Sequence, residues 1–268
     1  MPHARLTGTA WDRKREDYAY TRELNKPGWA WEFLRRNEGL QSDCKLSKYK
    51  SPLPHLHKSG TTCYFATEAD ARADKWGLLC LPDSKKSAAE IDIFWQPALL
   101  SSHLRLRTIA DAPMSDDCVR LADFKCRRAL LLQNRIEHVT IQDWSQSVQL
   151  TIHGGSLLDA PCHVTLEIEG MGCVSSGISA LQTLVKLRQS DGTNASNSVT
   201  RDSKYFDYLV ALDGHLAGRT YRDIAEVLYG ADRIGPYWTD DSRGFKSKVR
   251  RAVACGLALM NGGYLALL

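Results

Sequence analysis

The chain has 268 residues, 25% charged and 43% hydrophobic, with a formal net charge of +4. That is the composition of a soluble globular protein long enough for two or three domains, and its mild positive charge permits nucleic-acid binding without demanding it. The eight cysteines include no CxxC pair, which rules against zinc-finger, iron–sulfur and secreted disulfide frameworks and suits buried, reduced thiols.

The longest apolar runs, such as Ala129 to Leu132 and Leu257 to Met260, fall far short of the about 20 residues that span a bilayer. The opening stretch MPHARLTGTAWDRKRED has no apolar signal-peptide core, so a cytoplasmic protein with no membrane partner is expected.

Residues 1–65 read as a small helical, aromatic and basic unit. Asp12 to Leu24 is helix-like with Tyr20 and Leu24 spaced i, i+4, and Pro27 precedes a second helix from Trp29 to Asn37. Trp29, Phe33 and Leu34 face inward there, leaving Arg35 and Arg36 near the end where the helix dipole favours cations. Arg13, Lys14, Arg15 and Tyr18 form a basic-aromatic start that suits phosphate contact or a solvated face. SPLPHLHKSG reads as a loop, and His55 and His57 within it make only a weak metal set with Cys63 beyond it.

Residues 66–173 change pattern. WGLLCL, IDIFW, LRLRTIA, RRALLLQ, HVTIQ, VQLTIHG and HVTLEIEG are short β-rich runs separated by turn residues. Leu104, Leu106 and Thr108 alternate with Arg105 and Arg107, and Val148, Leu150 and Ile152 with Gln149 and Thr151, predicting an antiparallel meander with one dry and one wet face. Asp116, Asp117, His138, Asp143, His153, Cys162 and His163 have catalytic chemistry. No spacing joins a nucleophile to a base and an acid, and no GxSxG, Walker loop or HExxH occurs. No enzyme, cofactor or metal is expected.

Residues 174–268 read as a helical bundle carrying a variant helix-turn-helix. Ser175 to Gln189 is amphipathic, with Ile178, Leu181, Leu184, Val185 and Leu187 on one side, and a polar tract from Ser190 to Thr200 follows it. Asp202 to Leu216 places Tyr205, Tyr208, Leu209 and Leu212 on its stripe. Thr220 caps a helix running to Leu228, with Asp223 three residues on, Tyr221, Ile224, Ala225 and Leu228 buried, and Gly230 as the stop.

A longer helix follows Asp240, Asp241 and Ser242 and ends near Met260. At about 100° per residue, Phe245, Val249, Ala252, Val253, Gly256 and Leu257 gather on one face. Arg243, Lys246, Ser247, Arg250 and Arg251 fan over the other, with Lys248 at its edge. From Ser242 to Arg251 there are five basic residues and no acidic one. An apolar back and a basic front behind a short helix is the layout of a DNA reader. The candidate DNA contacts are these six residues with Arg219 and Arg222. The connection 230–241, much longer than the usual turn of about 3–4 residues, carries Tyr237 and Trp238 and suits a wing-like loop.

YAYTREL (18–24) followed by PGWAWEFLRRN (27–37) resembles a small N-terminal domain of unknown function. LDGHLAGRTYRDIAEVLYG (212–230) and VRRAVACGLALMNGGYLALL (249–268) resemble the C-terminal domain found beside it. The pair is similar to the proteobacterial transcriptional activators that switch on excision and transfer of integrative and conjugative elements. The resemblance implies promoter DNA as a partner, restraint by a small antiactivator, and RNA polymerase as a further candidate partner. It places Tyr264 and Leu265 in a tail that covers the bundle or, with Tyr237 and Trp238, meets a partner. The alternative reading is an interaction regulator whose helix-turn-helix-like surface docks a protein in place of DNA. The fold expected is α+β: helical unit, central antiparallel sheet, helical bundle.

Overall fold

Among the described residues three apolar clusters organise the chain: one among helices from both ends of the sequence, one on a single face of the central sheet, and a small one on the other face that joins Phe94 to Ala129 and Leu131. The computed structural model describes residues 14–46, 52–66, 70–109, 118–143, 146–168, 170–191, 203–234 and 243–268, with the side chains of Ser203 and Arg243 undescribed.

The first element is a 3₁₀ helix, Arg15–Glu23, where the sequence predicts an ordinary helical spacing. Its buried residues, Tyr18 and Thr21, fall three apart, as a three-residue turn requires. Helix α1 (Lys26–Leu34) is capped by the Asn25 side chain accepting from Gly28 N, with Pro27 in its first turn. Every residue from Gly28 to Leu34 is buried, so α1 is a central helix and not an amphipathic surface one. Helix α2 (Glu38–Leu46) follows.

The sheet strands are β1 (His55–Leu56), β2 (Thr62–Ala66), β3 (His103–Ile109), β4 (Arg127–Gln133), β5 (Ile136–Gln142), β6 (Ser147–His153) and β7 (His163–Glu167), with the one-turn helix α3 (Ala71–Asp74) between β2 and β3. Their order is β1-β2-β4-β5-β6-β3-β7. The β4–β5–β6 centre is the expected antiparallel meander, and the β4–β5 turn puts Asn134 and Arg135 both at positive φ, the conformation of a two-residue hairpin. The whole is nevertheless mixed and not antiparallel throughout, because β2 lies parallel to β4 and β3 parallel to β6. The predicted strands WGLLCL and IDIFW join only through a bridge between Leu78 and Trp95.

The alternation predicts the sheet's two faces but not what covers them. Leu104, Leu106, Leu130, Val139, Ile141, Val148, Leu150 and Ile152 share the apolar face. The other face carries Gln133, His138, Thr140, Gln149 and Thr151, all buried where the sequence predicts a wet surface. The irregular segment 78–95 lies over it. Gln149 accepts from Trp95 N at 3.1 Å and donates to Trp95 O at 2.7 Å, while Gln133 donates to Leu79 O at 3.0 Å. Buried glutamines thus satisfy backbone groups that no strand partner reaches.

On that face the Thr151 hydroxyl lies 2.9 Å from His103 Nε2 and 3.3 Å from His138 Nδ1. Burial, helped by Arg105 for His103 and by His103 and His153 for His138, holds each imidazole at about 4. Both therefore stay neutral when folded, whereas the unfolded chain takes up protons near pH 6.5, so stability is full above that value and falls as pH drops towards 4. The buried His138 alone contributes a loss of up to about 2 kcal/mol at pH 5. Urea denaturation at pH 7 and pH 5 checks this, and a His138→Gln chain is expected to lose less on acidification than the parent.

Helix α4 (Val174–Gln189) packs on the apolar sheet face and not in the C-terminal bundle, correcting the expected grouping. Its inward stripe is Gly177, Ala180, Leu181, Leu184 and Leu187, while Ile178 and Val185 are exposed. Small residues at 177 and 180 let the helix sit close to the sheet, a packing signal that apolar periodicity alone overlooks.

The remaining helices are α5 (Ser203–Leu216), α6 (Tyr221–Tyr229), the one-turn α7 (Ala231–Ile234) and α8 (Arg243–Met260), then a 3₁₀ helix Gly263–Leu267. Leu209, Val210, Ala211 and Leu212 of α5 are buried against α1, α6 and α8. α5 and α8 lie in close contact at Gly256, where a Cβ would stand 2.7 Å from Tyr208 O and 2.9 Å from Leu212 Cβ. Gly256→Ala is expected to destabilise by about 1–3 kcal/mol, although alanine is the better helix former by about 1 kcal/mol. A rise in melting temperature would contradict that crossing.

Candidate nucleic-acid interface

Helix α6 is built as its sequence dictates. Asp223 N donates to Thr220 Oγ1 at 3.2 Å and Thr220 N donates to an Asp223 carboxylate oxygen at 3.0 Å, a reciprocal capping box. Ile224, Ala225 and Leu228 are buried, whereas Tyr221, expected inside, is 38% exposed. Gly230 ends the helix at φ +95. The following residues form α7 with Ile234 buried, so the first part of the expected wing-like connection is a helical turn; 235–242 lie outside the described residues.

Against α6 lies α8, with the Tyr229 and Phe245 rings 5.3 Å apart. Val249, Ala252, Val253 and Gly256 are buried, with Phe245 and Leu257 half-buried. The opposite side presents Lys246, Ser247, Arg250 and Arg251 to solvent, with exposed Lys248 at the edge, its ammonium 5.8 Å from the Phe245 ring centre. Among the described residues Lys248, Arg250 and Arg251 form no salt bridge. Like charges one turn apart, as at Lys246 and Arg250, each cost the free helix about 0.2–0.5 kcal/mol. The like charges of this front repel one another, and a polyanion would relieve that repulsion.

The other sequence-predicted contacts divide. Arg243 opens α8, but its side chain lies outside the described residues. Arg222 is exposed and pairs with Glu226 at 3.0 Å, which ties it to its own helix. Arg219 is half-buried, with its Nε buried and without a hydrogen-bond partner. Tyr237 and Trp238 lie outside the described residues. Tyr264 is 3% exposed, donates to Trp76 O at 3.1 Å and packs by Trp95, so it covers the bundle and is no surface for a partner. Leu265 is 43% exposed.

Sequence reasoning missed the groups that seat the N-terminal helices on this bundle. Arg15, a candidate phosphate contact, donates to Leu228 O at 3.0 Å at the end of α6 and lies over the Phe206 ring. Arg36, expected near a helix end, is buried; it donates to both Asp213 oxygens, Nη2 at 2.9 Å from Oδ2, and to Glu32 Oε2 at 2.9 Å. Tyr18 OH donates to Asp213 Oδ2 at 2.9 Å. Burial alone would raise the Glu32 carboxyl, but Arg36 and Arg35 hold it below its ordinary value. Burial likewise works against Arg36, whose charge Asp213 holds in place.

Among the described residues no group of three His, Cys, Asp or Glu side chains is placed to hold a metal, and His57 turns to Asp159 at 3.3 Å. No helix among them is long and apolar enough to cross a membrane. All eight cysteines are free; Cys63 and Cys118 are buried, Cys173 is exposed and the others lie between, so general burial of the thiols was an over-reading.

No curated protein matches the chain. Residues 11–80 match the family model of a proteobacterial transcriptional regulator-like domain, a stretch that includes the 3₁₀ helix, α1 and Arg36. Residues 175–268 match the model described as T6SS, transcription factor, DNA binding domain, which spans α4 to the tail. A regulator-like domain and a transcription-factor DNA-binding domain on one chain support a DNA-binding transcription regulator, and suggest a non-enzymatic one.

Proposed function

We propose that the chain is a transcriptional activator that lays the basic front of α8 along promoter DNA. The single observation that carries this is the exposed set Lys246, Ser247, Lys248, Arg250 and Arg251, on a helix whose back is anchored to α5 and α6 and inside the region matched by a DNA-binding domain. Arg243, at the start of the same face, joins them. Arginine suits guanine edges, and lysine and arginine suit phosphates. Arg219 and Arg222 take a lesser part, on the flank where α6 begins.

The genes served are those for excision and transfer of an integrative and conjugative element. The support is the signatures at 18–24 with 27–37 and at 212–230 with 249–268, together with the proteobacterial regulator-like match. A small antiactivator restrains the protein, and RNA polymerase is the machinery it engages. Leu265, with Tyr237 and Trp238, is assigned to partner contact. The test is genome-wide occupancy of the tagged chain in a host carrying the element. A peak upstream of an excision-factor gene, lost when the antiactivator is overproduced, is the expected result. Peaks confined to secretion-system genes would overturn the element reading and leave DNA reading intact.

A further inference from the structure

We propose that the outer edge of β7 pairs with β7 of a second copy of the chain, joining two sheets across a two-fold axis. β7 ends the strand order and, among the described residues, has a strand neighbour only in β3. Just before it, Cys162 exchanges main-chain hydrogen bonds with Val119, which marks where the open edge begins. An open edge offers N–H and C=O groups to another strand.

The ladder fixes which groups those are. Ser102 O accepts from Gln149 N at 3.0 Å, so the even-numbered residues of β3 turn their main chain to β6 and the odd-numbered ones to β7. Arg105, Arg107 and Ile109 stand opposite Glu167, Thr165 and His163, and the Thr165 hydroxyl donates to Arg107 O at 3.4 Å. His163, Thr165 and Glu167 therefore turn their main chain inward. The N–H and C=O groups of Val164 and Leu166 point away from the sheet.

Turned end for end about Thr165, this strand fits itself. Val164 of each copy meets Leu166 of the other, and each such pair exchanges the two hydrogen bonds that the outward groups need. On the polar face His163 of each copy meets Glu167 of the other, an imidazole opposite a carboxylate, where like charges would repel. Arg107 Nε already donates to one Glu167 oxygen at 2.6 Å, and a carboxylate has acceptor sites left for a second donor.

The apolar surface beside the edge points the same way. Leu166, Ile168, Met171 and Ile178 are between 42% and 88% exposed. Leu166 stands beside Leu106 on the apolar sheet face, Ile168 lies over Gly177 near the start of α4, and Met171 and Ile178 flank that turn of the chain. Exposed apolar side chains gathered in this way mark an interaction surface. The axis through Thr165 brings the two patches onto one face of the joined sheet. Where α8 reads DNA as proposed above, two copies so related read two inverted half-sites, but the pairing itself does not rest on that reading.

Analytical ultracentrifugation of the full chain without DNA, at micromolar concentration, is expected to give twice the chain mass. Leu166→Lys sets two ammonium groups near each other beside the axis and leaves the β3 ladder intact. It is expected to weaken self-association at least about tenfold with the melting temperature within a few degrees of the parent. Thr165→Cys, made together with Cys173→Ser to remove the exposed thiol, puts two thiols opposite each other at the axis. It is expected to give a disulfide-linked pair with copper phenanthroline in air, and it serves alone if the lysine variant fails to fold. A monomeric parent chain, an oligomer that Leu166→Lys leaves intact, or no linked pair from position 165 would overturn the proposal. Promoter binding is read separately by gel shift, so self-pairing and DNA reading can each fail without the other.

Discussion

Replacing Lys246, Arg250 and Arg251 together by alanine is expected to weaken promoter binding at least about 100-fold at physiological salt while leaving the melting temperature within a few degrees of the parent. The fold has little to lose, because Lys246, Arg250 and Arg251 are exposed and Arg250 and Arg251 make no salt bridge among the described residues. Alanine also removes like-charge repulsion and is the best helix former. The DNA has much to lose. Each phosphate contact contributes about 0.9 to the slope of log affinity against log salt, so three lost contacts flatten it by up to about 3. Gel shifts at four salt concentrations read both quantities. A triple variant with parental affinity and slope would place the interface elsewhere. Arg222→Ala, which breaks only the pair with Glu226, is expected to change affinity far less.

Asp213→Ala is expected to cost about 3–5 kcal/mol of stability. Asp213 faces Arg36 and the Tyr18 hydroxyl, and its removal leaves a buried guanidinium with only Glu32 for charge. Set against a total stability of about 5–15 kcal/mol, that loss brings the chain near unfolding at growth temperature. Because it ties α5 to Arg36, just beyond the end of α1, its loss also removes one of the contacts that join the regulator-like region to the DNA-binding region. Urea denaturation measures it. The double variant Arg36→Met, Asp213→Leu is expected to recover most of the loss, since paired apolar replacement removes the stranded charge. Equal losses in the single and double variants would show that packing and not charge is at stake.

The C-terminal helices were legible because their information is local. Thr220 and Asp223 form the cap that their spacing implies, and the α8 periodicity correctly separates Val249, Ala252 and Val253 from Arg250 and Arg251. The strand alternation was equally local and correctly sorted Leu104, Leu106, Val148, Leu150 and Ile152 to one side. It failed over what covered the other side: Gln149 looks solvent-facing in sequence, and only the fold brings Trp95 over it. Distance in sequence hid the rest. Arg36 and Asp213 are 177 residues apart, and nothing near either announces the other. The small seam of α4 at Gly177 and Ala180 was missed because apolar counting favours Ile178 and Val185, which are exposed.

The most direct test of α8 as the DNA reader is site-specific photocrosslinking to a labelled promoter fragment. A benzophenone amino acid replaces Ser247, exposed between Lys246 and Lys248, and in a separate chain replaces Ser179, exposed on α4. The account predicts a covalent protein–DNA band from position 247, suppressed by unlabelled promoter, and none from position 179. No band from 247 under conditions where the same chain shifts the promoter would contradict it.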